Sequence, residues 1–117
     1  MNWIRLQNEN QLDDIIKISN EKPVLIFKHS VRCSISNTVL GRMERSWKPD
    51  EVKNTPAYYL DILSYRPVSN KIEEIFGVQH ESPQLLIIEN GICTYDTSHF
   101  SISYEEIKSR FGELTKN

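Results

Sequence analysis

Apolar residues fall along this chain in two rhythms. Val24-Leu25-Ile26-Phe27 and Leu85-Leu86-Ile87-Ile88 are unbroken runs of four. Such runs predict strands buried on both faces, as in a parallel or mixed sheet. Between and around them the spacing becomes helical. Leu12, Ile15, Ile16 and Ser19 form one stripe, with Asn8 or Asn10 as its cap and Pro23 closing the connection. Ile35, Val39, Met43 and Trp47 form a second, stopped by Pro49, and Val68, Ile72, Ile75 and Phe76 a third, ended by Gly77. Trp3-Ile4-Arg5-Leu6 and the aromatic-rich segment from Ala57 to Ile62 predict further strands. Asn90-Gly91 is a strong two-residue hairpin signal, because both turn positions need positive φ, and Ile92 to Thr97 is then the returning strand. Ser103 with Glu106 makes a capping box for a last helix, striped by Tyr104, Ile107, Phe111 and Leu114. The expected order is β-α-β-α-β-α-β-β-α. It predicts an α/β fold in which a central mixed sheet has helices on both faces.

Composition narrows the function. The 117 residues show no repeat, linker or low-complexity tract, so residues 1–117 are expected to form one domain. Fourteen Lys and Arg against sixteen Asp and Glu leave a net charge of −2, without the basic excess of a phosphate-reading nucleic-acid binder. No apolar run approaches the twenty or so residues of a bilayer span, so no membrane partner is expected. The opening Met1-Asn2-Trp3-Ile4-Arg5 lacks the features of a secretory signal, and two cysteines do not make a disulfide scaffold. The expected location is the cytoplasm.

Cys33 stands between the end of a buried strand and the start of a helix. Unpaired N–H groups and the positive end of the helix dipole meet there, and both favour a thiolate over a thiol. Arg32 is adjacent, with Lys28 and His29 close by. Ser36 follows three residues later, where a dithiol reductant would carry a second cysteine. Its hydroxyl can donate to a thiolate but cannot resolve a disulfide, so Cys33 would work as a single thiol with an outside thiol completing the cycle. Cys93, opposite Ile88 if Asn90-Gly91 is a two-residue turn, would lie about 16 Å along the strand from Pro83, too far for a disulfide. It is read as a packing residue. His80 is expected to face solvent. His99 is either a donor to an anionic thiol on the wall of the site, a positive charge near Cys33, or an ordinary loop histidine. Zinc spacing and a glycine-rich phosphate loop are both missing, and no metal or cofactor is expected.

A strand, a cysteine opening the next helix, a βα unit, and then Ser82-Pro83 ahead of a hairpin together resemble a thioredoxin fold. The resemblance implies that Pro83 is cis and lies beside Cys33, with the Ser82 backbone pairing with substrate. Lys28-His29-Ser30-Val31-Arg32-Cys33-Ser34-Ile35-Ser36 is similar to the active-site segment of the monothiol bacilliredoxins. Glu89-Asn90-Gly91 and Thr97-Ser98-His99 also resemble segments of that family. Ser34 departs from the family's usual proline, which adds a donor near the sulfur and loosens the turn. The resemblance implies a thiol–disulfide oxidoreductase acting through Cys33 and Ser36, with Lys28, His29, Arg32, Ser34, Ser82, Pro83 and His99 around the substrate. Its implied partners are bacillithiol, or a similar small thiol, and bacillithiolated proteins. Two alternatives remain open: a non-catalytic protein-binding module, and a carrier of an iron–sulfur cluster held through Cys33.

Overall fold

The computed structural model describes residues 1–114, the last three of them as backbone only. Strands β1 (Trp3–Arg5), β2 (Val24–His29), β3 (Ala57–Asp61), β4 (Gln84–Glu89) and β5 (Ile92–Ser98) form one sheet in the order β1-β3-β2-β4-β5. The first three are mutually parallel, while β4 runs antiparallel to β2 and β5 antiparallel to β4. Helices α1 (Asn10–Ser19), α2 (Ser34–Ser46), α3 (Arg66–Phe76) and α4 (Tyr104–Leu114) connect and close it. The expected order therefore holds, with a 3-10 turn at Pro49–Val52 and another at His99–Ser101 added to it.

The alternation of side chains along β2 and β4 builds two cores. Val24 and Ile26 pack with Leu86 and Ile88 against Leu12 and Ile15 of α1 and Val68 and Ile72 of α3. On the other face Leu25 and Phe27 pack with Leu85 and Ile87 against Val39 and Met43 of α2 and Ile107 and Phe111 of α4. Leu114, expected on the α4 stripe, lies outside the residues whose side chains are described. The Ser103 hydroxyl accepts the Glu106 N–H at 3.4 Å, as a cap should. At α1 the capping position falls on Glu9 instead of either asparagine, although Asn8 Oδ1 still accepts the Gln11 N–H at 3.1 Å.

The hairpin has the expected register. Asn90 and Gly91 have φ of 52° and 77°, and Ile88 pairs with Cys93. Their N–H groups donate to Ser19 O (2.8 Å) and Ser19 Oγ (2.9 Å), which fastens the turn to the end of α1. Beyond Cys93 the register slips, so that Ile87 pairs with Tyr95 and Thr94 is left over as a bulge. Strand β2 also runs two residues beyond its apolar tetrad. All six of its residues are buried, Lys28 and His29 included.

Candidate active site

With β2 ending at His29 and α2 starting at Ser34, the segment Ser30-Val31-Arg32-Cys33 turns across the carboxyl end of the parallel strands. Cys33 occupies the capping position of α2 in extended conformation (φ −100°, ψ 119°). Its main chain is held: its N–H donates to Ser30 O (3.1 Å), and its carbonyl accepts the Asn37 N–H (3.0 Å). Its sulfur makes no capping bond and carries no disulfide. The thiol is half-buried, flanked by exposed Val31, Arg32, Ser34 and Ile35. A helix start leaves N–H groups without intrahelical partners, and Cys33 stands at that end of α2.

Ser36 is fully buried on the first turn of α2. Its oxygen accepts the Ser30 N–H at 3.1 Å and lies 2.6 Å from His29 Nδ1. Among the described residues it makes no hydrogen bond to Cys33, so the expected donor to the sulfur is engaged elsewhere. His29 in turn lies beside the rings of Phe27 (6.0 Å between centroids) and Tyr59 (5.5 Å). Burial lowers its pKa below the ordinary 6.5, with Asp61, the Asn37 side chain and Glu44 opposing.

Lys28 points to the opposite face of the sheet. It is wholly buried, and among the described residues its ammonium has no hydrogen-bond partner. Burial lowers its pKa to about 8, against an attraction from Glu73. Lys28 and His29 were both expected around the substrate. Both are inside the protein and reach a substrate only through other groups, because the strand continues past the apolar run that marked it.

The Ser82-Pro83 bond is cis, as the resemblance implied, and Pro83 is buried. Because Gln84 pairs with Lys28, Pro83 stands at the same end of the sheet as the Cys33 loop. Strand β5 returns His99 to this end. Its N–H donates to Pro83 O at 2.9 Å, its φ is +54°, and its Nε2 lies 3.4 Å from Glu81 Oε2. The Gln84 side chain holds the loop from below, donating to Gln79 O and accepting the Glu81 N–H. Ser82 Oγ is buried without a partner among the described residues. His80, expected to face solvent, is half-buried with Nδ1 at 3.2 Å from Ser69 Oγ, and its backbone N–H is taken by Glu73. Asn37, which also donates from Nδ2 to Val31 O at 3.2 Å, and Gln84 carried no signal in the sequence.

Cys93 lies at the far end of β4, opposite Ile88, five residues or about 16 Å from Pro83. Its thiol donates to Tyr95 O, and burial pushes its pKa up. Among the described residues no group of three or more His, Cys, Asp or Glu side chains is arranged to hold a metal ion, and no helix is long and apolar enough to cross a membrane.

Known proteins share this architecture. A thioredoxin-fold protein with a proposed oxidoreductase role superposes with a TM-score of 0.77 at 27% identity, covering 93% of this chain and 92% of the other. The thioredoxin of Trypanosoma brucei brucei gives 0.76 at 13% identity, covering 99% and 93%. That of Malassezia sympodialis gives 0.71 at 11%, covering 93% and 87%. These likenesses establish the thioredoxin fold. The sequence profile of the monothiol bacilliredoxin family, BrxC, matches residues 4–107. A thioredoxin fold whose single site thiol opens α2, matched over most of its length by that profile, belongs to the monothiol bacilliredoxin family.

Proposed function

We propose that this protein removes bacillithiol from cytoplasmic proteins that carry it as a mixed disulfide. The Cys33 thiolate attacks the bacillithiol sulfur, the protein's sulfur leaves as a thiolate, and Cys33 retains the small thiol in a new disulfide. A second bacillithiol then attacks that disulfide. It forms bacillithiol disulfide and returns Cys33 to its starting state. The observation that carries this reading is the isolation of Cys33, since the only other cysteine lies at the opposite end of β4. Exposed Arg32 and Ser34, with His99 and the Ser82 main chain, are the groups available to hold the small thiol and its protein carrier.

Intact mass spectrometry after parallel exposure to the disulfides of bacillithiol, glutathione and coenzyme A tests the reading. A single bacillithiol adduct, lost in Cys33→Ser and retained in Cys93→Ser, is expected. An adduct lost in Cys93→Ser with the fold intact would assign that residue a resolving role. No adduct from any of the three would return the chain to a non-catalytic binding module.

A further inference from the structure

On the face of the sheet covered by α2 and α4, a groove of about 340 Å³ opens between these two helices. Arg42 and Met43 of α2 form one side of it. Phe100, Ile102 and the start of α4 form the other. Phe100 follows His99, where β5 has brought the chain back to the Cys33 end of the sheet, and 57% of its surface is exposed. The Arg42 guanidinium lies over that ring, 5.8 Å from its centroid. Among the described residues it has no carboxylate partner.

Helix α4 begins in the lining of this groove, and the N–H groups of Tyr104 and Glu105 have no acceptor among the described residues. An unpaired guanidinium and the positive end of a helix therefore border one cavity, and both suit an anionic group. The exposed Glu105 carboxylate is the opposing charge in the lining. Apolar surface accompanies the cation. Ile35, 36% exposed, lies two turns before Arg42 on the same side of α2, and Val31 of the Cys33 loop is 49% exposed. Arginine and aromatic side chains held against each other are residue types on which protein interfaces concentrate their binding energy.

We propose that this groove binds the protein half of the mixed disulfide, as an extended segment with an apolar side chain against Phe100 and a carboxylate on Arg42. Arg42 stands nine residues, about 13 Å, along α2 from Cys33. An extended chain covers that distance in about four residues. The favoured carboxylate is therefore about four positions from the modified cysteine.

Such a protein partner belongs to the proposed function, on which this rests, but the test uses no bacillithiol. Short peptides with one central cysteine are prepared as mixed disulfides with thionitrobenzoate. Attack by the Cys33 thiolate on the peptide sulfur releases coloured thionitrobenzoate, followed by absorbance in a Cys93→Ser background. Aspartate four positions from the cysteine on both sides is expected to react about fivefold faster than lysine there, the upper worth of an exposed ion pair. In Arg42→Gln that preference disappears, and with the aspartates moved beside the cysteine Arg42→Gln makes no difference. Dithiodipyridine, too short to reach the groove, reacts with Cys33 equally fast in both proteins. A preference missing from the parent or kept in Arg42→Gln overturns the proposal. So does an equal slowing with dithiodipyridine, which would put the effect of Arg42 on the thiol itself. Sedimentation of the parent as a dimer that Phe100→Ser makes monomeric would give the groove to a second copy and overturn it too. Failure to react with bacillithiol disulfide would sink the proposed function and leave the peptide comparison standing.

Discussion

Lys28 shows how much one residue can hide. A lysine beside a reactive cysteine reads in sequence as surface charge, and its neighbour His29 reads the same way. Both are buried because β2 outlasts its apolar tetrad, and an apolar run marks where burial is certain without marking where it ends. The ammonium has no hydrogen-bond partner among the described residues, and its pKa of about 8 lies below the usual 10.5. At this group the unfolded chain therefore binds more protons between these values, and the Lys28 contribution to stability rises with pH across that window. Below pH 8 the full cost of the buried charge is present, about 3 kcal/mol at 1.36 kcal/mol per pKa unit. Lys28→Met is expected to raise stability by about 1–3 kcal/mol at pH 7 and to flatten the rise between pH 8 and 10. Urea unfolding at pH 7 and at 9.5 measures both. A variant less stable than the parent at pH 7 would mean that the ammonium is well solvated in the folded state. Cys33 and Ser82-Pro83 were legible because motif and resemblance point to them directly. The partners of Ser36 and His80 were not, since no pattern of one strand or helix states what another element sets against it.

At the scale of elements, the every-fourth-residue stripe expected of α2 is straighter than the helix's buried face of Ser36, Val39 and Met43. Ile35, Val39, Met43 and Trp47 recur every fourth residue, but a turn holds 3.6, so each step drifts by about 40°. Over three steps the line swings off the buried face. Ile35 is left 36% exposed, and Ser36 takes its place against the sheet. This same drift buries the hydroxyl that holds the Cys33 loop. Turn chemistry was easier to read. Gly77 ends α3 at φ +67°, and an added Cβ would meet nothing within 4 Å. Any cost of Gly77→Ala must therefore come from the left-handed backbone alone. A loss of about 1 kcal/mol by urea unfolding is expected, with the thiol's alkylation rate unchanged. A neutral substitution would show that the last turn of α3 can rewind. The bulge at Thr94 had no counterpart in the sequence, because strand alternation continues through it on either register.

For the molecule as a whole, the fold order and mixed sheet followed from the rhythm of apolar positions. The division of the core followed less directly, since residues in a doubly buried strand look alike whichever face they serve. Trp3 and Trp47 both pack with the core under α2 and α4, whereas α1 and α3 cover the other face. Tryptophan fluorescence thus watches one face, and far-UV circular dichroism watches both. If the shared sheet makes the two cores one cooperative unit, the two unfolding curves coincide even when Ile72→Ala weakens the α3 side by about 2–5 kcal/mol. Separate midpoints would show that the faces come apart independently.

The remoteness of Cys93 from the site also gives the protein a kind of memory. Under the proposed function, a dithiol enzyme would clear its own adduct whether or not small thiols were plentiful. This chain holds the adduct until a thiol arrives from outside, so the lifetime of the modified form varies inversely with the free thiol concentration. The fraction of Cys33 carrying an adduct then becomes a running record of how depleted the thiol pool is. A partner able to distinguish the loaded from the empty form could read the redox condition of the cell from it.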